Sequence, residues 1–471
     1  MKLRVFLTSG IILLSGCAVG PDYAPPEISS PPQFVSQDVL SALNSDKDDK
    51  TVPVDWWTGF QDDTLNMLVE KGLQNNLDIA ASIARVKQAR AVIRLADAGD
   101  NLRADIDLSG DVQERRELDG DSETTTTSAL GAGLDVVQPL DIFGRTQREV
   151  EAARAQLEGT QAELRSIVLQ TSSDIASEYL LLRGNQRQIE LLRESVDLQE
   201  KTLSIVKSRF DAGLSPELDL RRAETSVENL RANIPPLEAD LLNSRNRLAS
   251  LTGAFPGAYE VLLSSQKNIP DYESPIPELI PLDVLTARPD VRQAESILKE
   301  SIANIGVAEA QYYPIFQLGA SLSVGITNAS SMPVTEVLIG SLAALIQQVI
   351  TDGGARDANY DIAEAQAEEA LANYRQALRL AIEDVEITLA AIESSYRRQN
   401  SLEKAVNSSQ RSFTQAETLY QQGLISFLDV VDAQRVLASA EQALARERTN
   451  YSTQIAILFR VLGVNVELDS D

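Results

Sequence analysis

Carboxylates are the most abundant side chains in this sequence that could take part in chemistry. Asp and Glu total 69 against 42 Lys and Arg, which gives a formal net charge of −27, and there is no histidine. Asp429 and Asp432 are three residues apart, a spacing that places both on one face of a helix. Without histidine, Ser-His-Asp catalysis and histidine metal sites are excluded. This pair therefore either concentrates negative charge on a surface or is an ordinary solvated helix face.

The single cysteine, Cys17, is the other reactive residue. It follows a basic start and a short apolar run at 5–14, which is too short to span a bilayer. The tetrapeptide Leu-Ser-Gly-Cys that ends at Cys17 resembles the lipobox of bacterial lipoproteins, in which the thiol becomes acylated. In such lipoproteins a residue like Ala18, rather than Asp, favours the outer membrane. The alternative is an ordinary signal peptide with an incidental cysteine.

The composition excludes further classes of protein. A strong negative charge opposes binding to nucleic-acid phosphates, so no nucleic-acid partner is predicted. One cysteine cannot form an intrachain disulfide, a cysteine zinc site or an iron–sulfur cluster, and we predict neither a cofactor nor a metal. After the signal region no apolar run is long enough for a transmembrane helix, so any membrane span would have to consist of β-strands.

The sequence repeats, and the repeat determines how these residues are positioned. Shifts of 210 to 212 residues align one half of the chain with the other, for example Asp78 with Asp290 and Gly253 with Gly463. The clearest window pairs 210–225 with 420–435. Identical there are Gly213/Gly423, Leu214/Leu424, Leu218/Leu428, Asp219/Asp429 and Ala223/Ala433. Two copies of one unit about 210 residues long is the simplest interpretation.

The repeat predicts the division of the chain. We expect a signal peptide at 1–16, a lipid-anchored extended leader at 17–55, a first repeat at 56–270, a second repeat at 271–464 and a C-terminal tail at 465–471.

Each repeat has the same predicted order of elements. A helix is followed by two strands, then by a very long helix that ends near Gly213 or Gly423, then by a returning helix. Glycine at these two positions is typical of the left-handed residue that ends a helix, and the two positions are predicted tip turns. The predicted first helices are 78–101 and 290–313, the strands 104–113, 127–137, 315–326 and 336–348, and the returning helices 217–253 and 427–463. The fold class is therefore mainly α with a small β portion.

The predicted strands alternate between apolar and polar side chains. In 316–326, Phe316, Leu318, Ala320, Leu322, Val324 and Ile326 share one face. Such a pattern suits a transmembrane barrel strand, although a soluble amphipathic hairpin would look similar. Four strands cannot close a barrel, which needs about eight, and an open edge is not tolerated in lipid. The strands must therefore be pooled between chains, as eight in a dimer or twelve in a trimer.

The first long helix carries two apolar stripes at a spacing of seven. One contains Ile189, Val196, Leu203 and Phe210, and the other Leu191, Leu198 and Ile205. The stripes are offset by two residues, or about 200° around the helix. A two-helix coiled coil needs only one such seam, so the pattern favours a helix with a neighbour on each side, as in a ring or tube. The alternative is a helix buried in an ordinary bundle.

Six segments resemble the outer-membrane factor family of TolC- and OprM-type efflux channels, especially its lipoprotein branch. They are LSGCAVGPDY (14–23), DWWTGFQDDTLNMLVEKGLQNNLDI (55–79), QPLDIFGR (138–145), RFDAGLSPELDLRRAET (209–225), ARPDVRQAE (287–295) and GLISFLDVVDAQR (423–435). The resemblance implies a homotrimer with a twelve-stranded outer-membrane barrel and a long periplasmic α-helical tunnel. It also implies a periplasmic adaptor and an inner-membrane pump as partners, with this protein as the passive conduit.

The resemblance also assigns roles at the tip turns. It implies a closing contact between Tyr420 and Asp219, with Arg435 as a further ionic partner, in a periplasmic gate. It places Asp429 and Asp432 in an acidic selectivity ring around the lumen. The alternatives are that Tyr420 packs, that Asp219 caps the returning helix, and that the pair of carboxylates is simply solvated.

The leading functional prediction is an outer-membrane exit duct for drugs or other toxic small molecules. The alternatives are a periplasmic coiled-coil structural or adaptor lipoprotein, and an outer-membrane conduit of a protein secretion system. An adaptor would need no amphipathic strands, which is the feature that separates these hypotheses. An enzyme is disfavoured, because carboxylate pairs in helices are mostly solvated and no histidine base is present. Since the pump would choose the cargo, the sequence does not specify a substrate.

Overall fold

A computed structural model describes residues 18–28, 30–44, 55–116, 124–277, 280–329 and 332–464. The predicted signal peptide, Cys17, part of the leader and the C-terminal tail lie outside the described residues.

Where the structure describes it, the first half of the chain contains six α-helices and two strands, each named here by its bounds. They are α1 (Gln37–Asn44), α2 (Asp63–Asn75), α3 (Leu77–Asp97), β1 (Arg103–Arg116), β2 (Thr124–Leu140), α4 (Arg145–Asp211), α5 (Glu217–Ala232) and α6 (Ile234–Leu251). The second half continues with α7 (Pro281–Ala287), α8 (Pro289–Ala310), β3 (Ile315–Ala329), β4 (Met332–Gln347), α9 (Ala355–Gln421) and α10 (Phe427–Val461). The order of elements repeats, and the two longest helices, α4 and α9, both have 67 residues.

The returning helix of the first repeat differs from its prediction as one continuous helix. It is divided at Asn233 into α5 and α6, whereas α10 of the second repeat is continuous. The cause is Pro235 and Pro236, which lack an N–H for the helical ladder and are tolerated only in the first turn of a new helix.

The four strands form one antiparallel sheet in the order β1-β2-β3-β4, so the two repeats share it. Leu134 pairs with both Ile106 and Leu322, and Asp135 pairs with both Asp105 and Ser321. Because paired residues lie on the same face, one face is apolar and the other is polar in these three strands. In β4 the neighbours Leu338 and Ile339 point to opposite faces, which explains why its sequence alternates poorly.

The chain divides into two compact units. The first contains Arg85–Thr160, Gln293–Arg375 and the described part of Met1–Glu27, and therefore holds the sheet. The second contains Ile28–Ala84, Gln161–Arg292 and the described part of Gln376–Asp471. In the core of the second unit, Trp56 is fully buried and stacks on Phe459 at 5.1 Å between ring centroids. Across the described part of the chain, every helix is too short or too polar to cross a membrane.

Candidate functional site

The two tip turns have the same backbone structure. Gly213 and Gly423 have φ values of +73° and +76°, a region that favours glycine. The N–H of Leu214 donates to the Arg209 carbonyl at 2.8 Å, and the N–H of Leu424 donates to the Leu419 carbonyl at 2.9 Å. These six-to-one hydrogen bonds end α4 and α9 in the same Schellman motif. The duplication has therefore preserved the backbone of the turn.

A small apolar cluster lies beside both turns. Its buried members are Val206, Leu220, Ala223, Phe413, Tyr420, Phe427, Val430 and Leu437. The Tyr420 ring is 5.9 Å from the Phe427 ring, and the Arg209 guanidinium lies over it at 5.0 Å from the centroid. Burial raises the pKa of the Tyr420 phenol. Tyr420 is therefore a packed side chain that also carries a protonated hydroxyl at neutral pH.

Asp219 lies near Tyr420, at the third position of α5. Its charge is a further cause of the raised pKa of Tyr420, so the two side chains interact electrostatically within one chain. The Asp219 carboxylate accepts a hydrogen bond from the Ser215 hydroxyl at 3.3 Å. The residue that precedes the helix is Pro216, which has no N–H to donate back to this carboxylate.

Asp429 occupies the equivalent third position of α10, but its surroundings differ. Its carboxylate accepts hydrogen bonds from the Ser426 backbone N–H at 2.9 Å and from the Ser426 hydroxyl at 2.7 Å. These hydrogen bonds hold the pKa of Asp429 below its usual value. Asp429 therefore caps the helix to which it belongs, as in a capping box.

Asp432 and Arg435 form an exposed ion pair one turn further along α10. The Arg435 guanidinium donates to the Asp432 carboxylate at 2.7 Å, and both side chains are more than half exposed. Within one chain the structure therefore brings Asp219 toward Tyr420 and Arg435 toward Asp432. Asp429 has its own partner, Ser426.

Sequence reasoning missed Arg209, Pro216 and Ser426. The contact of Arg209 with Tyr420 joins positions 211 residues apart and has no local signal. The pattern Ser-x-x-Asp at 426–429 is a recognisable helix-start signal, and Pro216 at the matching position shows that the first repeat lacks it.

Large apolar side chains are exposed at both turns. Leu214 and Leu218 of the first repeat are 71% and 56% exposed, and Leu424 and Leu428 of the second are 68% and 56% exposed. These four leucines occupy two equivalent positions of the repeats, 214/424 and 218/428. Paired apolar side chains beside a turn form a surface that could bind a partner.

A second pair of repeat-related residues joins helix ends in the second unit. The Asn76 side chain donates to the Leu251 carbonyl at 2.8 Å, and the Arg288 guanidinium donates to the Val461 carbonyl at 3.1 Å. The guanidinium also donates to Asp290 at 2.7 Å, to Asp384 at 2.9 Å and to the Ala381 carbonyl at 3.3 Å. Arg288, like Asn76, is buried, and its hydrogen bonds lower the pKa of Asp290.

The comparisons with known proteins agree with this duplicated fold. The model of the outer membrane efflux protein family matches twice, at 68–254 and at 280–464. Nodulation protein T of Rhizobium leguminosarum bv. trifolii is 32% identical over 452 residues, which cover 96% of this chain and 95% of the relative. Probable outer membrane lipoprotein SilC of Salmonella typhimurium is 29% identical over 470 residues, 98% of each chain. The solved structure of the outer-membrane channel OprN superimposes with a TM-score of 0.87 at 29% identity, covering 96% of this chain and 100% of that one.

The fold is that of an outer-membrane channel protein, with long helices and a four-stranded sheet built from two repeats. The chain belongs to the outer membrane efflux protein family. This confirms the fold class, the efflux function and the outer-membrane location predicted from the sequence. Members of this family form trimers and work with an adaptor and an inner-membrane pump.

Proposed function

We propose that this protein is the passive exit duct of a tripartite efflux system and that three copies pool their strands into one twelve-stranded barrel. The main support is the sheet. It has an apolar face, and β1 and β4 are its edges, each paired with one strand of the chain. Edge strands of a sheet in lipid must be paired, and copies of the same chain provide the complementary edges.

The test of pooling is the size and heat stability of the protein in outer-membrane extracts. We expect a species of trimer size in detergent without boiling that converts to the 51.3 kDa chain, less its signal peptide, on boiling. A species of monomer size under all mild conditions would contradict pooled strands. The same assay separates the duct from a periplasmic coiled-coil lipoprotein, which would be extracted without a heat-modifiable barrel.

We assign the periplasmic gate to the tip turns. Asp219 accepts a hydrogen bond from the Ser215 hydroxyl, and Pro216, which has no N–H, offers it none from the backbone. Its carboxylate therefore retains capacity to accept a hydrogen bond from Tyr420 of a neighbouring protomer. Such a bond in each of three interfaces would hold the long helices together at the closed end, with Arg209 stabilising the position of the Tyr420 ring.

We assign ion selectivity to Asp429 and Asp432 of α10. In a trimer these residues would contribute six carboxylates, and rings of like charge attract counter-ions. Arg435, predicted from the sequence as part of the gate, forms an ion pair with Asp432 and offsets part of that charge. The resulting ring favours cations, and its strength depends on whether Arg435 remains paired.

We place adaptor docking at the exposed leucines Leu214, Leu218, Leu424 and Leu428. Identical residues in both repeats give a trimer six similar sites around its tip. An adaptor with a small apolar tip could therefore bind at each turn, and polar substitutions there should abolish docking without changing trimer formation.

We propose that the signal peptide is cleaved immediately before Cys17 and that the Cys17 thiol is acylated. Labelled palmitate should enter the wild-type protein and not the Cys17→Ser variant, whereas equal labelling of both would contradict the proposal. Because backbone pairing holds barrel strands in lipid without an anchor, an exported non-acylated variant should keep part of its function.

The cargo itself can be assigned with a deletion strain, by measuring accumulation of a panel of toxic compounds.

A further inference from the structure

The residues directly after Cys17 are bound tightly to the first unit of the chain. We call Ala18–Tyr23 the strap. The N–H of Val19 donates to the Phe143 carbonyl at 3.1 Å. The Arg148 guanidinium donates to the Val19 carbonyl at 3.0 Å, to the Gly20 carbonyl at 3.0 Å and to the Asp22 carboxylate at 2.9 Å. The Arg148 side chain is only 4% exposed, so a buried charged donor holds the two strap carbonyls, whereas the Asp22 carboxylate that it also binds is 91% exposed.

The strap also fits its surroundings sterically. A Cβ atom at Gly20 would lie 2.4 Å from the Cα of Gly306 on α8, and Gly20 has a φ of +91°. A Cβ atom at Gly144 would lie 2.5 Å from the Cα of Ala18. Backbone therefore meets backbone at two places along the strap, and only glycine permits such close approach.

The far end of the strap is held by a different set of contacts. The Tyr23 hydroxyl donates to the Glu295 carboxylate at 3.0 Å, and the Lys299 ammonium lies 5.5 Å from the centre of the Tyr23 ring. Lys299 in turn pairs with Glu158 of α4 at 3.0 Å. The start of the strap is therefore attached to α4 through Arg148, and its far end to α8 through Glu295 and Lys299, with the Lys299–Glu158 ion pair linking the two helices.

An aromatic cluster lies beside the start of the strap. Phe143, whose carbonyl accepts from Val19, stacks on Tyr313 with ring centroids 4.6 Å apart, and Phe316 is 6.3 Å from Phe143. Phe316 is the second residue of β3. Aromatic side chains at the ends of membrane strands are typical of the boundary between lipid and water.

We propose that the strap is a built seat for the lipid anchor and that Arg148 is its positioning residue. Cys17 directly precedes Ala18 in the sequence, so the position of the strap limits where acyl chains on Cys17 could enter the membrane. The strap thus fixes the point at which the acyl chains enter the membrane, at the level of Phe143, Tyr313 and Phe316. The anchor is then a fixed part of the membrane-facing surface and not the end of a loose tether. This inference rests on the proposed acylation of Cys17.

The test measures the mobility of the strap in the whole acylated trimer. Pro21, an exposed residue of the strap between Gly20 and Asp22, is replaced by cysteine and carries a nitroxide label, since acylation occupies the only native cysteine. Electron paramagnetic resonance should show a slow, ordered label. Arg148→Met keeps the aliphatic stem against Gly306 but removes every donor, and should give a mobile label. Arg145→Met is the matched control, because Arg145 pairs with Glu149 at the surface.

Three further measurements make the outcome decisive. Arg148→Lys should give an intermediate spectrum, because an ammonium replaces only part of the forked hydrogen bonding. Gly20→Ala should release the strap, because the added Cβ atom would overlap with Gly306. It replaces Arg148→Met in the test if that variant assembles poorly. The collision rates of the label with oxygen and with an aqueous nickel chelate report its depth relative to the membrane. We expect a single depth in the parent protein and a range of depths in the variants with a released strap. An unchanged, ordered spectrum in palmitate-labelled Arg148→Met and Gly20→Ala would overturn the seat, whereas absence of palmitate from the parent would overturn acylation instead.

Discussion

The first and second tip turns share one backbone and differ in how a carboxylate is used. Asp219 lies three residues after Pro216 and accepts a hydrogen bond from the Ser215 hydroxyl. Asp429 lies three residues after Ser426 and accepts hydrogen bonds from both the backbone N–H and the hydroxyl of Ser426. The difference between proline and serine at the residue before the helix therefore decides whether the carboxylate caps its own helix. The two repeats have kept the same turn. In the second repeat the carboxylate of Asp429 caps the helix, whereas in the first the carboxylate of Asp219 remains able to accept a hydrogen bond from another residue.

The junction at Asn76 and Arg288 shows the same division of roles in a buried setting. Each side chain binds the carbonyl at the end of the returning helix of its own repeat, Leu251 or Val461. Asn76 is neutral, whereas Arg288 also neutralises Asp290 and Asp384. The second repeat has therefore become dependent on a buried charge that the first repeat does not need.

The largest expected effect is at this junction. Arg288→Met would leave the half-exposed carboxylates of Asp290 and Asp384 without their cation and two buried carbonyls without a donor, and is expected to cost about 3 kcal/mol of stability. Asn76→Ala, the matched change in the first repeat, removes neutral hydrogen bonds and should cost about 1–3 kcal/mol. Denaturant unfolding of the purified protein, followed by circular dichroism, compares the two. Equal losses would show that the charge of Arg288 adds nothing to the junction.

The second prediction concerns closure of the tip. Asp219→Ala combined with Tyr420→Phe removes both partners of the proposed closing hydrogen bond and should raise leak conductance several-fold in planar bilayers. Tyr420→Phe retains the packing against Phe427, so a collapse of the apolar cluster is avoided. If the double variant conducts like the wild type, Tyr420 serves only in packing and Asp219 only in the local turn.

The third prediction concerns ion selectivity in the second repeat. Asp429→Asn with Asp432→Asn should lower cation preference and weaken block by multivalent cations from the periplasmic side. Arg435→Gln should shift the reversal potential in the opposite direction, because it frees Asp432 from its ion pair. Reversal potentials identical in all variants would exclude these residues from the filter.

The smallest effect is expected when the first turn is converted into the second. Pro216→Ser supplies an N–H and a hydroxyl to Asp219, which should stabilise α5 by about 1 kcal/mol. The same change should make the gate leakier, because Asp219 is then used as a cap. The melting temperature should therefore rise, while the leak conductance shows that the gate closes less well. Ser426→Pro is the matched control, with lower stability and unchanged closure, and a tighter gate in Pro216→Ser would contradict this account.

The features that the sequence predicted well are those with local or periodic signals. The duplicated order of elements and the alternation in 316–326 reappear as α4, α9 and the four-stranded sheet. The break between α5 and α6 was missed although Pro235 and Pro236 carry its signal. The strap could not be predicted, since Arg148 meets Gly20 across 128 residues and the sequence has no pattern that pairs them. The same holds for Arg209 over the Tyr420 ring.

The central claim is that three copies of this chain form one conducting duct whose closed end lies at the two tip turns. The most direct measurement is single-channel recording of the purified, heat-modifiable trimer, alone and as the Asp219→Ala, Tyr420→Phe variant. We predict that the wild-type trimer inserts and conducts little, that the variant opens to a larger cation-selective conductance, and that boiled monomer gives no channels. Trimer that inserts without conducting in either form, or channels from the monomer alone, would contradict the account.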